Sequence, residues 1–116
     1  MAEADCLFCR IVGGEIPATV VYGQDGVTAF RDIAPQAPTH ILIVPDMHVA
    51  GVAALEASHD EIAGKLLRVA AELARREGIE ADGYRLIINQ GEDAGQSVPH
   101  LHVHLLGGSR LRTPLV

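Results

Sequence analysis

Positive charge is in short supply in this sequence. Nine Lys and Arg residues stand against 15 Asp and Glu, a formal net charge of −6 over 116 residues. A phosphate backbone is gripped by basic surface, which argues against nucleic acid as a partner. A small phosphorylated ligand stays open, because a local pocket can hold an anion against the global sign. Long apolar runs are also missing, and none approaches the roughly 20 residues that span a bilayer. The acidic start Met1-Ala2-Glu3-Ala4-Asp5 lacks the basic and apolar regions of a signal peptide, so a cytoplasmic protein with no membrane partner is expected. There is no internal repeat, low-complexity tract or linker. What is present, 48% apolar residues in a chain of one-domain size, suits a globular fold with one hydrophobic core.

Cysteine is scarce as well, and both copies lie in Cys6-Leu7-Phe8-Cys9. In a reducing compartment a C-x-x-C suggests a metal half-site or a redox pair before a structural disulfide. A thioredoxin-type redox motif sits at a strand-to-helix junction, and no strand can be read upstream of Asp5. Zinc is therefore favoured over a metal-free thiol pair, with histidines as candidates for the two further ligands.

Along the chain, Leu7 to Val12 reads as one or two helical turns closed by Gly13-Gly14. Ala18 to Tyr22 and Val27 to Asp32 are rich in strand formers, and Gly23-Gln24-Asp25-Gly26 between them makes a hairpin. Two prolines exclude regular structure from Ile33 to Pro38. Thr39-His40-Ile41-Leu42-Ile43-Val44-Pro45 is a central strand buried on both faces. The spacing predicts one long helix, with Ser58 and Glu61 as a capping box, an apolar stripe of Ile62, Leu66, Val69, Ala70 and Leu73, and a stop at Gly78. The pairs Glu61/Lys65 and Arg68/Glu72 mark a solvated face, with His59 at the surface. Tyr84 to Asn89 is another strand. Gly91-Glu92-Asp93-Ala94-Gly95-Gln96-Ser97 is a loop whose glycines let backbone N–H groups form an anion-binding concavity. Glu92 and Asp93 are expected to point away from any phosphate.

The stretch His100-Leu101-His102-Val103-His104-Leu105-Leu106 is hard to explain as packing alone. On a strand the three imidazoles share one face, roughly 6.5 to 7 Å apart, while Leu101, Val103 and Leu105 take the other.

This stretch resembles the signature of the histidine triad (HIT) superfamily, and the resemblance covers nearly the whole chain. Phe30 to His40, Asn89, and Gly95-Gln96-Ser97-Val98 before His100 resemble the Hint branch, the purine nucleoside phosphoramidases. The resemblance implies a single α+β domain over residues 1–116, with an antiparallel sheet, one long amphipathic helix and a short N-terminal helix. It also implies a homodimer formed through the long helix and a sheet strand.

The resemblance implies that His102 is the nucleophile, attacking the α-phosphorus of a nucleoside 5'-phosphoramidate and passing through a nucleotidyl-histidine. Neutral imidazole can do this chemistry, since it attacks phosphorus and forms a labile adduct. By the same resemblance His40 and His104 lie beside the phosphate, Ser97 and the Gln96 to Ser97 backbone lie near the leaving group and oxygens, and Gly95 belongs to the nucleotide-binding loop. Asp32 matches the ribose-binding residue, and Asn89 a polar contact to phosphate or ribose. Phe8, Ile16, Phe30 and Ile33 match the base pocket, although ordinary core is the alternative, and for Phe8 the two readings weigh equally. Cys6, Cys9, His48 and His100 match the ligands of a structural zinc, which would brace the segment carrying His102. No catalytic metal is required. Pro99 and the tail Gly108 to Val116 depart from the animal members, the tail by lacking a tryptophan. Three other readings are a diadenosine polyphosphate hydrolase of the Fhit type, an enzyme using His100, His102 and His104 on a catalytic metal, and a non-catalytic nucleotide-binding module.

Overall fold

The computed structural model describes residues 5–112. The start of the chain before Asp5 and the last four residues of the tail, both read above from sequence, lie outside this range. Leu7–Val12 forms α1, which ends at Gly13 before Gly14 turns the chain with φ of +78°. Strands β1 (Val20–Gln24) and β2 (Val27–Arg31) make the expected hairpin. Its turn is only Asp25-Gly26, and both residues take positive φ, as a two-residue hairpin demands. Thr39–Pro45 is β3, with the bounds read from the sequence and every residue buried. Then follow α2 (Asp60–Arg76), β4 (Tyr84–Ile87) and β5 (Val103–Gly107). The strands form one antiparallel sheet in the order β1-β2-β3-β5-β4, so the fold is α+β with β3 at the centre.

Alternation along the strands divides the interior in two. One face, with Ile41, Ile43, Val103 and Leu105 fully buried, packs on Leu66, Val69, Ala70 and Leu73 of α2. The other carries Phe30, Leu42 and Val44 against Cys6, Phe8 and Cys9 of the N-terminal segment. Leu101, Val103 and Leu105 face α2, which leaves His102 and His104 for the α1 side.

Four local expectations are corrected. The histidine strand does not begin at His100: its ladder starts at the Val103–Ile43 pair. Pro45, two residues past Ile43, has no N–H to donate. Its carbonyl accepts from His100 Nε2 at 2.8 Å, and the Leu101 N–H turns to Val49 O at 2.6 Å. Strand β4 stops at Ile87 rather than Asn89, where its ladder with β5 ends at His104. Ser58 and Glu61 do not cap α2, because the chain enters it through a 3-10 turn over Ala57–His59. Reciprocal capping falls to Glu56 and His59, so His59 is a half-buried cap and not plain surface. Finally, Glu61 pairs with Lys65, but Glu72 pairs with Arg76 and not Arg68. The favoured i,i+4 order on a helix puts the acid N-terminal to the base.

Candidate functional site

The Cys6-Leu7-Phe8-Cys9 segment enters α1 with Cys6 as its N-cap, the sulfur accepting the Cys9 N–H at 3.2 Å. This turn aims both sulfurs at two histidines. His100 Nδ1 stands 3.3 Å from Cys6 Sγ and 3.5 Å from Cys9 Sγ, and His48 Nδ1 stands 3.4 Å from Cys9 Sγ. All four donor atoms lie within 4.8 Å of one another. Ligands held at 2.0–2.3 Å around a tetrahedral zinc stand roughly 3.3–3.8 Å apart, so the separations and the Cys2His2 donor set both fit. The Pro45 carbonyl takes the proton of His100 Nε2, which leaves the Nδ1 lone pair free for the metal. Burial pushes the Cys6 thiol up, so its thiolate needs a cation beside it, and pushes the fully buried His100 down, which keeps that ring in the neutral form a metal binds. With four protein ligands the site is closed, and zinc there braces structure.

Beyond His100 the imidazoles take other work. The Nδ1–H of His102 donates to the His100 carbonyl at 2.7 Å. A carbonyl can only accept, so the lone pair of His102 is on Nε2. The Gln36 N–H donates to His40 Nδ1 at 3.0 Å, which puts the His40 proton on Nε2. That proton is shared between His104 Nδ1 at 2.9 Å and Asp32 Oδ2 at 3.5 Å. His104 is thereby left with its proton on Nε2. The result is a chain of fixed tautomers, Gln36 to His40 to His104, beside a ring whose Nε2 is a bare base. Burial lowers the pKa of His40, against the pull of Asp32. Burial first, then the neighbouring His102 and His40, push His104 down to about 4.

Asp32, His40 and His104 also place donor atoms within 4.8 Å of one another. Their hydrogen bonds oppose a metal, since the Gln36 N–H holds the His40 lone pair at Nδ1 and leaves a proton at the nitrogen that faces the other two. Nor do His100, His102 and His104 converge on one point. Their Nδ1 atoms face the cysteines, a carbonyl and His40 respectively, which disfavours the triad as ligands of one catalytic metal.

A cavity of about 260 Å³ opens beside these rings. Phe8, Ile16, Phe30, Ile33, Asp32, Ser97, His102 and His104 line it, eight of the residues assigned to the site by resemblance. Phe8 does two jobs, standing edge-on to His102 at 5.0 Å between centroids and to Phe30 at 5.4 Å, so core and pocket wall are one side chain. Ile33 is 98% exposed and forms a rim rather than a wall. Leu7, Ile11, Pro17, Ala18, Arg31, Leu42 and Val98 complete the lining and were not singled out from sequence. Leu7, Phe8 and Ile11 sit at helical i, i+1, i+4 spacing, and that pattern could have found them.

Four assigned residues do not line the cavity, and one of them, His40, stands behind His104 and reaches the site only through it. Asn89 is half-buried beyond the end of β4. Gly95, with φ of +80°, ends the 3-10 turn Glu92–Ala94. The Gln96 side chain is spent inside the loop: Oε1 accepts from Gly91 N, and Nε2 donates to Ala50 O and Val98 O. Its own N–H bonds Gly91 O. Gln96 therefore shapes the loop that presents Ser97, while Glu92 and Asp93 point to solvent as expected.

With this geometry in place, the chain was compared with known proteins. A family model described as the HIT domain matches residues 13–111. The purine nucleoside phosphoramidase of Escherichia coli K12 is 51% identical over 111 residues, covering 96% of this chain and 92% of that protein. A 14 kDa zinc-binding protein of Zea mays is 52% identical over 114 residues, covering 97% and 88%. Among solved structures, a HIT family hydrolase from Legionella pneumophila superposes with a TM-score of 0.92 at 47% identity, covering 95% of this chain and 98% of that one.

Proposed function

This chain belongs to the HIT domain family, and on that premise we propose that it hydrolyses the P–N bond of purine nucleoside 5'-phosphoramidates. The observation that carries the reading is the His102 tautomer. A backbone carbonyl holds its Nδ1 proton at 2.7 Å, so Nε2 presents a lone pair to the cavity without first losing a proton.

In the first step His102 Nε2 attacks the α-phosphorus. The N–P bond to the enzyme forms as the P–N bond to the amine breaks, and the amine takes a proton from solvent as it leaves, a proton that the attacking water gives back in the second step. The His104 Nε2–H, backed by His40 and Asp32, donates to the charge gathering on the phosphoryl oxygens. Because His104 is neutral near pH 7, this support comes from a hydrogen-bond donor and not from an imidazolium. In the second step water attacks the phosphorus of the nucleotidyl-histidine and releases the nucleoside monophosphate. Ser97 is at hand for the leaving group, and its loop is fixed by Gln96. Asp32 binds the ribose hydroxyls, and the apolar walls from Phe8 to Phe30 receive the base. Zinc, held by Cys6, Cys9, His48 and His100, supplies rigidity.

We read residues 1–116 as one domain acting in the cytoplasm as a homodimer. The dimer reading is supported by β4, an edge strand whose Tyr84 and Leu86 are each 37% exposed, with Ile88 beyond it at 41%. Its exposed apolar row suits pairing with a second copy. Among the described residues no helix is long and apolar enough to cross a membrane.

The test is steady-state hydrolysis of adenosine 5'-phosphoramidate beside diadenosine tetraphosphate, for wild type and His102→Ala, with and without a chelator. Turnover of the phosphoramidate that survives brief chelation and vanishes in His102→Ala is expected. Preference for the dinucleotide would move the enzyme to the diadenosine polyphosphate hydrolases, and binding without turnover would make it a nucleotide-binding module.

A further inference from the structure

Glu77 closes α2 as its C-cap, and its carboxylate is shared between two strands. Arg31, the last residue of β2, donates from Nη1 to Oε1 and from Nη2 to Oε2, each at 2.9 Å. Thr39, the first residue of β3, donates its hydroxyl to the same Oε1 at 3.3 Å. A forked pair is the geometry in which arginine holds a carboxylate most firmly. Thr39 is buried and the Glu77 side chain is only 20% exposed, so the cluster is largely shielded from water. The guanidinium holds the Glu77 carboxyl below the ordinary carboxylate range, which keeps the pair charged at neutral pH. Arg31 borders the nucleotide cavity, yet its guanidinium is spent on Glu77.

What this carboxylate ties together is visible one residue further on. Arg31 is followed by Asp32 and Thr39 by His40. Arg31 lies opposite Ile41 in the β2–β3 ladder, and Ile41 packs on α2, so Arg31 and Thr39 take the α2 face. His40 takes the other face with His104, and there Asp32 Oδ2 stands 3.5 Å from His40 Nε2. The ladder between the two strands ends at the Arg31–Ile41 pair. Beyond it the Asp32 N–H donates to the His40 carbonyl at 3.0 Å, and the Glu77 bridge joins the same two strand ends from the opposite face.

Resting on the phosphoramidase reading, we propose that Glu77 is a positioning residue which, through Arg31 and Thr39, sets the separation of Asp32 and His40. Asp32 anchors the ribose, while His40 backs the donor that His104 offers the phosphate. Their separation therefore fixes where a nucleotide held at both ends presents its phosphorus to His102 Nε2. Glu77 itself touches no substrate. Without its carboxylate the two strand ends lose the tie beneath them, and ribose and phosphate can each still be bound but no longer in register. Such a loss falls on the rate of reaction more than on binding.

The test measures kcat and KM of wild type, Glu77→Ala and Glu77→Gln on adenosine 5'-phosphoramidate and on its 2',3'-dideoxy analogue, which has no hydroxyl for Asp32 to hold. With the ribose substrate Glu77→Ala should lower kcat about tenfold, since a misplacement of roughly 1 Å at a reacting centre costs on the order of 10²-fold, and leave KM nearly unchanged. Glu77→Gln, which keeps an acceptor and loses the charge, should fall between Glu77→Ala and wild type. With the dideoxy analogue the three proteins should differ little in kcat. Glu80→Gln, which breaks the exposed pair with Arg75 near the same helix end, should behave as wild type. An equal loss on both substrates, or a loss confined to KM, is what a merely structural Glu77 gives and overturns the proposal. Absence of phosphoramidate turnover in wild type would defeat the phosphoramidase reading instead. Imidazole NMR then decides the bridge alone: the His40 Nε2–H should exchange with water faster in Glu77→Ala than in wild type, and equal exchange overturns it.

Discussion

His40 Nε2 and His104 Nδ1 lie 2.9 Å apart, and the Gln36 N–H behind His40 determines which of the two nitrogens carries the proton. His104 therefore works as a hydrogen-bond donor only while His40 stands behind it. Replacing His104 with Ala should cost roughly 10²–10³ in kcat, the usual cost of one preorganised donor. His40→Ala should cost a comparable factor, and the double variant little more than either, because both act through one donor. Steady-state kinetics on the three variants checks this, and additive losses would contradict it.

The low pKa of His104 has a pH signature. Burial holds it near 4, below the ordinary value of 6.5, so in the folded protein the ring stays neutral while the unfolded chain binds a proton. His40 is shifted the same way. The unfolded state thus binds more protons between about pH 6.5 and 4, and stability is full above that window and lost as the pH falls through it. Imidazole NMR resonances of His104 should remain those of a neutral ring at pH 5. Denaturant midpoints should decline from pH 6.5 to 4.

Zinc should be a stability ligand. Protein purified without added metal is expected to hold about one zinc per chain. Cys9→Ser should lose most of it and lower Tm by more than about 10 °C, because binding to the folded state alone is worth about 4 kcal/mol once the metal exceeds its dissociation constant a thousandfold. His102→Ala should keep its zinc, since His102 makes its bond to a carbonyl and not to the metal.

A charge on the open edge of β4 should separate the copies. Leu86→Glu places a carboxylate in the exposed apolar row, where like charges would meet across a two-fold interface. Sedimentation should show a dimer for wild type and a monomer for the variant at the same concentration.

The central strand was readable residue for residue, because Thr39–Pro45 is a continuous β-branched apolar run and its burial on both faces leaves no other place for it. The start of β5 was not readable. His100 to Leu105 alternates without a break, and the ladder stops at Val103 because of Pro45 across the sheet, a cause outside the segment itself. Helix α2 was visible from its stripe, while the capping box sits one turn earlier, at Glu56 and His59 of the 3-10 turn that leads into it, because that turn is a backbone event. The zinc ligands come from three separated segments, so composition gave the C-x-x-C and the resemblance gave the other two. The groups that set the histidine tautomers, the Gln36 N–H and the Pro45 and His100 carbonyls, are backbone atoms, and side-chain identity carries no sign of them.

The measurement closest to the central claim is rapid-quench mass spectrometry of the enzyme mixed with adenosine 5'-phosphoramidate. Covalent nucleotidyl transfer predicts an adenylyl adduct on His102 that forms and decays within a turnover, and is absent from His102→Ala. Full turnover with no adduct, or an adduct on another residue, would contradict it.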